Sequence, residues 1–288
     1  MVDHPGLDAN GSVFVTTEWL ASRIADPDIV VIDGSWYLPT QNRDGKAEFA
    51  EGHIPGAVFF DIDSIADQTS GLPHMLLDEA SFAKQAGELG VPSDKTLVVY
   101  DGSGLFSAPR VWWTLRLFGA KEVLILQGGF PKWKAEGRQV EPGSARRQPT
   151  QFTARKKDGA VAELEAVRQA LDSGKAQVVD ARPAPRFKGE APEPRPGVRA
   201  GHMPGSYNLP FTEVIADGDL KSPKALREVF DRSGIDLDQP VIASCGSGVS
   251  AAILVLAMET MGRHDTTLYD GSWAEYGSRN DLPIAKGD

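Results

Sequence analysis

Cysteine is almost missing from this 288-residue chain, in which Cys245 is the only one. A single thiol cannot form an internal disulfide bond, and it cannot supply the ligands of a cysteine-based zinc site. The histidines are scattered along the chain without the close spacing of metal ligands; they are His4, His53, His74, His202 and His264. We therefore expect no metal and no cofactor, and a reducing compartment suits the free thiol.

Long hydrophobic runs and an excess of positive charge are also missing. No segment approaches the roughly 18 apolar residues of a membrane-spanning helix, and residues 1–6 carry no basic region that leads into an apolar stretch. The net charge is -10, whereas phosphate binding needs a positive surface. We expect a cytoplasmic protein that binds neither membrane nor nucleic acid, although a local positive pocket for a small anion stays open.

The sequence contains two copies of one unit. Three short motifs occur in the same order in each half. In the first half they are Asp33–Trp36, Gly52–Ala57 and Val98–Gly104, and in the second half they are Val179–Arg182, Gly201–Ser206 and Ile242–Gly248. This repetition predicts a duplicated domain, with a first copy over residues 1–138, a linker over 139–158 and a second copy over 159–288.

Short apolar runs alternate with helical patterns inside each copy. Ile29–Asp33, Thr96–Tyr100 and Val123–Leu126 are continuously apolar, and Pro109–Phe118 has a helical pattern. Continuously apolar strands between helices indicate an α/β fold with a parallel sheet covered by helices on both faces. Such sheets deliver their loops to the carboxyl edge, where ligands bind.

The stretch between the copies, Glu136–Thr150, is rich in glycine, proline and charge and has no period, which is typical of a linker. We expect it to be a solvated tether on an acidic body. The alternative is a binding strip formed by its basic residues together with Arg155, Lys156 and Lys157.

The surroundings of Cys245 favour a reactive thiol. An apolar strand-like run over residues 241–244 stops at the cysteine, and Gly246 and Gly248 let the following backbone turn tightly with its N–H groups inward. Ala251–Met258 predicts a buried helix whose positive N-terminal end faces the sulfur and stabilises a thiolate. We expect a nucleophile presented to solvent; the alternative is a small core residue beside a tight turn.

These residues resemble the rhodanese superfamily over about residues 13 to 280. The resemblance rests on two tandem α/β units, a Gly-His-hydrophobic-Pro-Gly-small element in each, and a cysteine loop in the second copy where the first has Asp101. It implies two tandem rhodanese-like domains. The loop Cys245–Ser250, together with Pro192–Arg195 and Asp270–Trp273, looks like the branch of 3-mercaptopyruvate sulfurtransferases. Ser250 departs from the threonine that this family favours.

The resemblance implies a reaction and a set of partners. Sulfur passes from 3-mercaptopyruvate through a cysteine persulfide to a thiol acceptor such as thioredoxin, or to cyanide, and pyruvate is released. Two alternatives stay open: a thiosulfate:cyanide sulfurtransferase, and a non-catalytic persulfide carrier. Because thiosulfate-using rhodaneses tend to have basic residues after the cysteine, the uncharged Gly246 and Ser247 favour the mercapto acid.

The resemblance also implies the roles of individual residues. Cys245 is the nucleophile, and the substrate's anionic sulfur is bound by the main chain of Gly246, Ser247, Gly248, Val249 and Ser250. Arg186 and Arg195 bind the substrate carboxylate and ketone, since guanidinium groups form forked bonds to carboxylates. Asp63 and His74 form a proton relay with Ser247. Without the family, the arginines would be solvated side chains and His74 an ordinary loop histidine.

Several other polar residues have a structural interpretation. His53 and His202 occupy equivalent turns in the two copies, although only one copy carries the nucleophile. We therefore expect both to serve the architecture. Asp33, Asp180 and Arg182 follow strands and are expected to hold loops by hydrogen bonds.

Overall fold

The chain folds into two compact units. The computed structural model describes residues 13–144 and 147–287. Within that range, unit 1 contains residues 13–65, 77–157 and 217–219, and unit 2 contains residues 66–76, 158–216 and 220–287. The domain and linker boundaries drawn from the repeat stay a prediction, and residues 1–12, 145, 146 and 288 lie outside the described residues.

Unit 1 is built on a five-stranded parallel sheet in the order β1-β5-β4-β2-β3. The strands are β1 Phe14–Val15, β2 Ile29–Asp33, β3 Val58–Phe59, β4 Thr96–Tyr100 and β5 Glu122–Leu126. The helices are α1 Thr17–Ala21, α2 Gly45–Glu51, α3 Glu79–Glu88, α4 Ala108–Leu117 and α5 Gly129–Ala135, with a 3-10 turn at Pro39–Gln41. The predicted strands and the helix after β4 are thus confirmed.

The sheet of unit 1 is buried on both faces. Val31 and Val98 belong to one core cluster, which α1, α2 and α5 close with three aromatic side chains; these are Trp19, Phe49 and Trp133. The alternate residues Val30, Leu97 and Val99 are equally buried and point to the opposite face, where α4 packs on β4 and β5. Burial on both faces explains why these strands are continuously apolar in sequence.

Unit 2 repeats the same topology, with the strand order β6-β12-β11-β7-β8 and parallel pairing throughout the sheet. The strands are β6 Val161–Ala162, β7 Gln177–Asp180, β8 Tyr207–Asn208, β11 Val241–Ser244 and β12 Thr267–Tyr269. The helices are α6 Leu164–Ser173, α7 Ala184–Phe187, α8 Pro223–Arg232, α9 Ala251–Thr260 and α10 Ser272–Tyr276. A 3-10 turn at Phe211–Glu213 precedes a small sheet formed by β9 Ile215–Ala216 and β10 Asp219–Leu220. The predicted duplication is therefore confirmed in the fold.

The histidines of the repeated Gly-His turns make the same contacts in both units. The His53 ring stacks on Phe49 at 3.9 Å and its Nδ1 lies 2.8 Å from the Phe49 carbonyl oxygen. The His202 ring stacks on Phe187 at 3.9 Å and its Nδ1 lies 2.9 Å from the Phe187 carbonyl oxygen. Both histidines are buried. Each holds the end of a helix against the turn, as the architectural interpretation expects.

The segment after α5 packs on unit 1 where the structure describes it. Phe152 is 3% exposed and meets Phe82 edge to face at 5.3 Å. The Thr150 amide donates to the Gly87 carbonyl at 2.9 Å, and the Lys157 amide donates to the Leu117 carbonyl at 2.8 Å. These bonds attach the segment to unit 1, while most of its described residues other than Phe152 are exposed or partly exposed. None of the helices in the described ranges is long and apolar enough to cross a membrane.

Candidate active site

Cys245 directly follows β11, a central strand of the sheet in unit 2, and begins the loop that leads into α9. Its side chain is 2% exposed, so the expectation of a thiol presented to solvent is wrong. The main chain at the cysteine is bonded to α10, where the Trp273 amide donates to the Cys245 carbonyl at 2.9 Å. The predicted buried helix after the loop is confirmed as α9.

The matching loop in unit 1 shows what this backbone conformation binds. Asp101 directly follows β4, as Cys245 follows β11, and its carboxylate accepts hydrogen bonds from four main-chain amides. The donors are Ser103 to Oδ1 at 2.8 Å, and Phe106, Ser107 and Ala108 to Oδ2 at 2.7, 2.9 and 2.8 Å. A loop that surrounds a carboxylate with amides is an anion-binding loop.

The repeat places four amides of unit 2 at the corresponding positions. Counted from the residue after the strand, they belong to Ser247, Ser250, Ala251 and Ala252. Ala251 and Ala252 are the first residues of α9, but the Ala252 amide donates to the Val249 carbonyl at 3.2 Å. The repeat therefore adds only Ala251, at the N-terminus of the helix, to the predicted anion-binding residues 246–250. Gly248, with a φ of 79°, supplies the left-handed turn of the loop.

The main chain at the thiol is held by the segment between β12 and α10. The Cys245 amide donates to the Ser272 hydroxyl at 3.3 Å, and the Ala274 amide donates to the Gly246 carbonyl at 2.9 Å. Ser272 is a candidate site residue that was not predicted from the sequence. The Asp270–Trp273 motif, recognised only as part of the resemblance, was the available signal.

Arg186 lies on the cysteine loop. It belongs to α7, and its Nη2 is 3.1 Å from the position that a Cβ atom on Gly246 would take. The Glu193 carboxylate forms a fork with its Nε at 3.1 Å and its Nη2 at 2.5 Å. Glu193 is 4% exposed and Arg186 16% exposed at their side chains. A side chain at position 246 would therefore displace the guanidinium, and Glu193 is a second residue that sequence analysis missed.

Glu193 also reaches a deeper arginine. Arg182 Nη1 donates to Glu193 Oε1 at 2.8 Å, its Nε and Nη2 bind Asp180, and its guanidinium lies 4.5 Å from the ring centre of Trp273. Burial lowers the pKa of Arg182, but the charges of Asp180 and Glu193 outweigh burial and raise it. Arg182 is fully charged in this network, and the predicted loop-holding role of Asp180 and Arg182 is confirmed. Arg195, two residues beyond Glu193, is partly exposed.

His74 lies beside the cysteine loop within unit 2. It is buried, adopts a left-handed φ of 61°, and places its Nδ1 3.2 Å from the Ser247 carbonyl oxygen. Since a carbonyl only accepts, Nδ1 carries the proton in this contact. The nearby Leu76 amide donates to Asp270 Oδ2 at 2.8 Å. His74 thus contacts the main-chain oxygen of Ser247, and the relay of Asp63, His74 and Ser247 stays a prediction.

The remaining predicted residues fall in different places. Asp63 lies in unit 1, where both carboxylate oxygens accept from the Trp36 indole N–H, at 3.1 and 3.0 Å. Val249 is buried in the cysteine loop, and Ser250 occupies the N-cap of α9 without a side-chain capping bond. Among the described residues no group of three or more His, Cys, Asp or Glu side chains is arranged to hold a metal ion.

The comparisons with a family model, with related sequences and with a solved structure agree with one another. The model of the rhodanese-like domain matches residues 16–136 and 163–279. The 3-mercaptopyruvate sulfurtransferase of Escherichia coli (strain K12) is 47% identical over 272 residues, which cover 94% of this chain and 97% of the relative. The thiosulfate sulfurtransferase of Cricetulus griseus is 43% identical over 270 residues, 91% of each chain. The crystal structure of an Escherichia coli 3-mercaptopyruvate sulfotransferase superimposes with a TM-score of 0.85 at 44% identity, covering 91% of this chain and 99% of that one.

Proposed function

This chain belongs to the rhodanese family, as the resemblance predicted, and on that premise we propose that it is a 3-mercaptopyruvate sulfurtransferase. It takes a sulfur atom from 3-mercaptopyruvate, stores it as a persulfide on Cys245, and passes it to a second thiol. The observation that carries the proposal is the position of its single cysteine at the start of a loop whose copy in unit 1 binds an anion with four amides.

The first half-reaction forms a sulfur–sulfur bond and breaks a carbon–sulfur bond. The Cys245 thiolate attacks the sulfur of 3-mercaptopyruvate, and the electron pair of the breaking bond moves to the substrate carbon as the enolate of pyruvate. The enolate takes up a proton, and pyruvate leaves. In our proposal the loop amides stabilise the anionic sulfur, as preorganised donors stabilise charge that develops during a reaction. His74, beside the loop, is the proposed proton carrier.

The second half-reaction regenerates the thiolate. An acceptor thiolate attacks the outer sulfur of the persulfide, which forms a new sulfur–sulfur bond and breaks the bond to Cys245. We propose a protein dithiol such as thioredoxin as the acceptor, with cyanide as a laboratory substitute. A thiolate nucleophile must stay reduced between turnovers, which supports a reducing compartment such as the cytoplasm.

Substrate binding is assigned to Arg186 in α7 and to Arg195 in the loop after α7. Arg186 is supported by its place against Gly246, and Arg195 by its place two residues after Glu193. A guanidinium binds a carboxylate through two charge-assisted hydrogen bonds, which suits the carboxylate of 3-mercaptopyruvate. Asp63 is proposed to complete the relay of His74 and Ser247.

Mass spectrometry tests the proposal directly. After incubation with 3-mercaptopyruvate and no acceptor, we expect Cys245 to gain the mass of one sulfur atom while one pyruvate is released per active site. Cys245→Ser should show neither change. A persulfide that forms only from a protein donor, without pyruvate release, would instead identify a non-catalytic carrier.

Thiosulfate is the second candidate donor, because the Cricetulus griseus relative is a thiosulfate sulfurtransferase. The two donors can be compared through kcat/KM, with cyanide as the common acceptor. We expect 3-mercaptopyruvate to be preferred because Gly246 and Ser247 add no positive charge for the compact dianion. A higher kcat/KM for thiosulfate would overturn this choice of donor.

A further inference from the structure

Ser272 has an unfavourable backbone conformation next to the nucleophile. It has a φ of 50° in the left-handed region and its side chain is completely buried. Residues other than glycine rarely adopt this region, because Cβ comes too close to the neighbouring carbonyl oxygen. Such conformations persist where the surrounding structure enforces them, and they cluster at functional sites.

The Ser272 hydroxyl connects two parts of the loop region. It donates to the Tyr269 carbonyl at 2.8 Å, at the end of β12, and accepts from the Cys245 amide at 3.3 Å. The donor bond fixes the direction of the hydroxyl, so that an oxygen lone pair faces the Cys245 amide. The amide next to Ser272, on Trp273, donates to the Cys245 carbonyl at 2.9 Å. The peptide groups on both sides of the Cys245 α-carbon are thus held by two consecutive residues.

Unit 1 provides the matched comparison. Gly129 follows β5 as Ser272 follows β12, it has a φ of 55°, and the next amide, on Phe130, donates to the Asp101 carbonyl at 3.0 Å. A Cβ atom on Gly129 would lie 2.6 Å from that carbonyl oxygen, so unit 1 has no room for a side chain there. The unit that carries the thiol has a serine at this position, and the unit that carries Asp101 has glycine.

We propose that Ser272 is a positioning residue for Cys245. The hydroxyl holds the Cys245 main chain so that the sulfur stays aimed at the amides of the loop. The left-handed backbone of Ser272 is the conformation that brings the hydroxyl there. This inference deepens the proposed function and rests on it for the identity of the substrate. In the described part of the chain, the Trp273 bond to Cys245 has a counterpart in the Phe130 bond to Asp101, whereas the Ser272 side-chain bond has none at Gly129.

Two substitutions at position 272 distinguish the effect of the hydroxyl from the effect of the backbone conformation. Ser272→Ala removes the hydroxyl and keeps the constraint on φ, whereas Ser272→Gly removes the hydroxyl and copies Gly129 of unit 1. Ser278→Gly is the control, because Ser278 is exposed and its hydroxyl donates to the Glu275 carbonyl, away from the thiol. The rate of Cys245 persulfide formation at saturating 3-mercaptopyruvate is measured in a single turnover and corrected for the folded fraction.

We expect both Ser272 variants to form the persulfide on the order of 10-fold more slowly, the effect of losing one hydrogen bond from the transition state. KM should stay within about twofold, because Ser272 does not bind the substrate. Ser272→Gly should melt close to the parent protein, since glycine adopts the left-handed region freely. Unchanged single-turnover rates in both variants would overturn the proposal, and so would a rise in KM with no change in rate.

Alkylation of Cys245 tests the role of Ser272 without using 3-mercaptopyruvate. The rate of Cys245 alkylation by iodoacetamide is followed against pH in the parent, in both Ser272 variants and in Ser278→Gly. We expect the pH of half-maximal rate to rise in the Ser272 variants and to stay constant in the control. If the parent protein released no pyruvate from 3-mercaptopyruvate, the proposed function would be wrong. The pH dependence of the alkylation rate would still test the role of Ser272. Identical profiles in all four proteins would rule out positioning.

Discussion

At the scale of single residues, the cysteine loop of unit 2 depends on charge pairs that hold its neighbours in place. Arg186 can present its guanidinium to a substrate only if its long side chain is fixed, and the buried Glu193 fixes it by two hydrogen bonds. Glu193 is fixed in turn by Arg182, which is bound to Asp180. Forked carboxylate–guanidinium pairs of this kind define direction as well as attraction.

We expect Arg186→Ala to raise KM for 3-mercaptopyruvate roughly 10-fold or more, because a charge-assisted hydrogen bond contributes about 1.5–3 kcal/mol. Glu193→Gln should raise KM by a smaller factor, since the amide keeps one acceptor oxygen but loses the charge. Glu190→Gln is the control, because Glu190 is exposed three residues earlier. Steady-state kinetics on the purified variants, with melting temperatures to confirm folding, check both expectations.

If Arg186→Ala and Glu193→Gln left KM unchanged while Glu190→Gln behaved like the parent, Arg186 would be removed from the substrate site. If Glu193→Gln lowered kcat without affecting KM, Glu193 would act on the reacting atoms rather than on the orientation of Arg186.

At the scale of elements, the corresponding loops of the two units begin with different side chains. In unit 1 the loop between β4 and α4 surrounds the carboxylate of its own Asp101, and in unit 2 the loop between β11 and α9 begins with a thiol. Four amides of the first loop already have the carboxylate as their acceptor. A carboxylate at this position therefore stabilises the loop of unit 1, and unit 2 has the proposed nucleophile in its place.

Asp101→Ala should destabilise unit 1 by at least about 3 kcal/mol, because it leaves several buried amides without an acceptor. Formate should recover part of the lost melting temperature in this variant and have no comparable effect on the parent, since it replaces the missing carboxylate. Thermal unfolding with and without formate measures both effects. Asp94→Ala, at an exposed position of the same unit, is the control. An Asp101→Ala protein that melts like the parent would show that the amides are satisfied without the carboxylate.

The elements also show what the sequence could predict and what it could not. The strands and α4 follow from local apolar runs, and the duplication follows from motifs that repeat in order, so both were accessible. The roles of Ser272 and Glu193 depend on contacts between residues that are separated in the sequence. The bond from the Leu76 amide to the Asp270 carboxylate is another contact of this kind. The bonds from α10 to the Cys245 and Gly246 carbonyls could not be predicted for the same reason, because α10 follows a different strand.

At the scale of the whole molecule, the two units have kept one topology but have changed the charge partner at the end of the second strand. In unit 2 Asp180 is paired with Arg182, two residues later. In unit 1 Asp33 occupies the same place, and Ser35 stands where the arginine would be, so that its amide is the donor at 2.8 Å. Both carboxylates are buried, but Asp180 has a guanidinium partner, whereas Asp33 accepts from the neutral donors Ser35 and Tyr100.

This difference predicts a pH-dependent stability in unit 1. Burial raises the pKa of Asp33 from 3.8 to about 6, against hydrogen bonds from Ser35 and Tyr100, and the charge of Asp101 adds to the rise. A carboxyl group with a raised pKa in the folded state favours folding most below its unfolded pKa. That contribution is lost as the pH rises from about 4 through 6, because the unfolded state then releases its proton more readily.

Asp33→Asn removes this titration while keeping an oxygen for the Ser35 amide. Above pH 7 the variant should therefore be more stable than the parent, by up to about 3 kcal/mol for a shift of about two pKa units. The advantage should shrink as the pH falls from 6 to 4, and Asp94→Asn should give no such trend. Chemical denaturation at several pH values, compared between each variant and the parent, isolates the contribution of Asp33. If the difference in unfolding free energy between Asp33→Asn and the parent stayed constant across this range, the pKa of Asp33 would not be raised by folding. Unit 1 would then compensate the charge of Asp33 without an arginine.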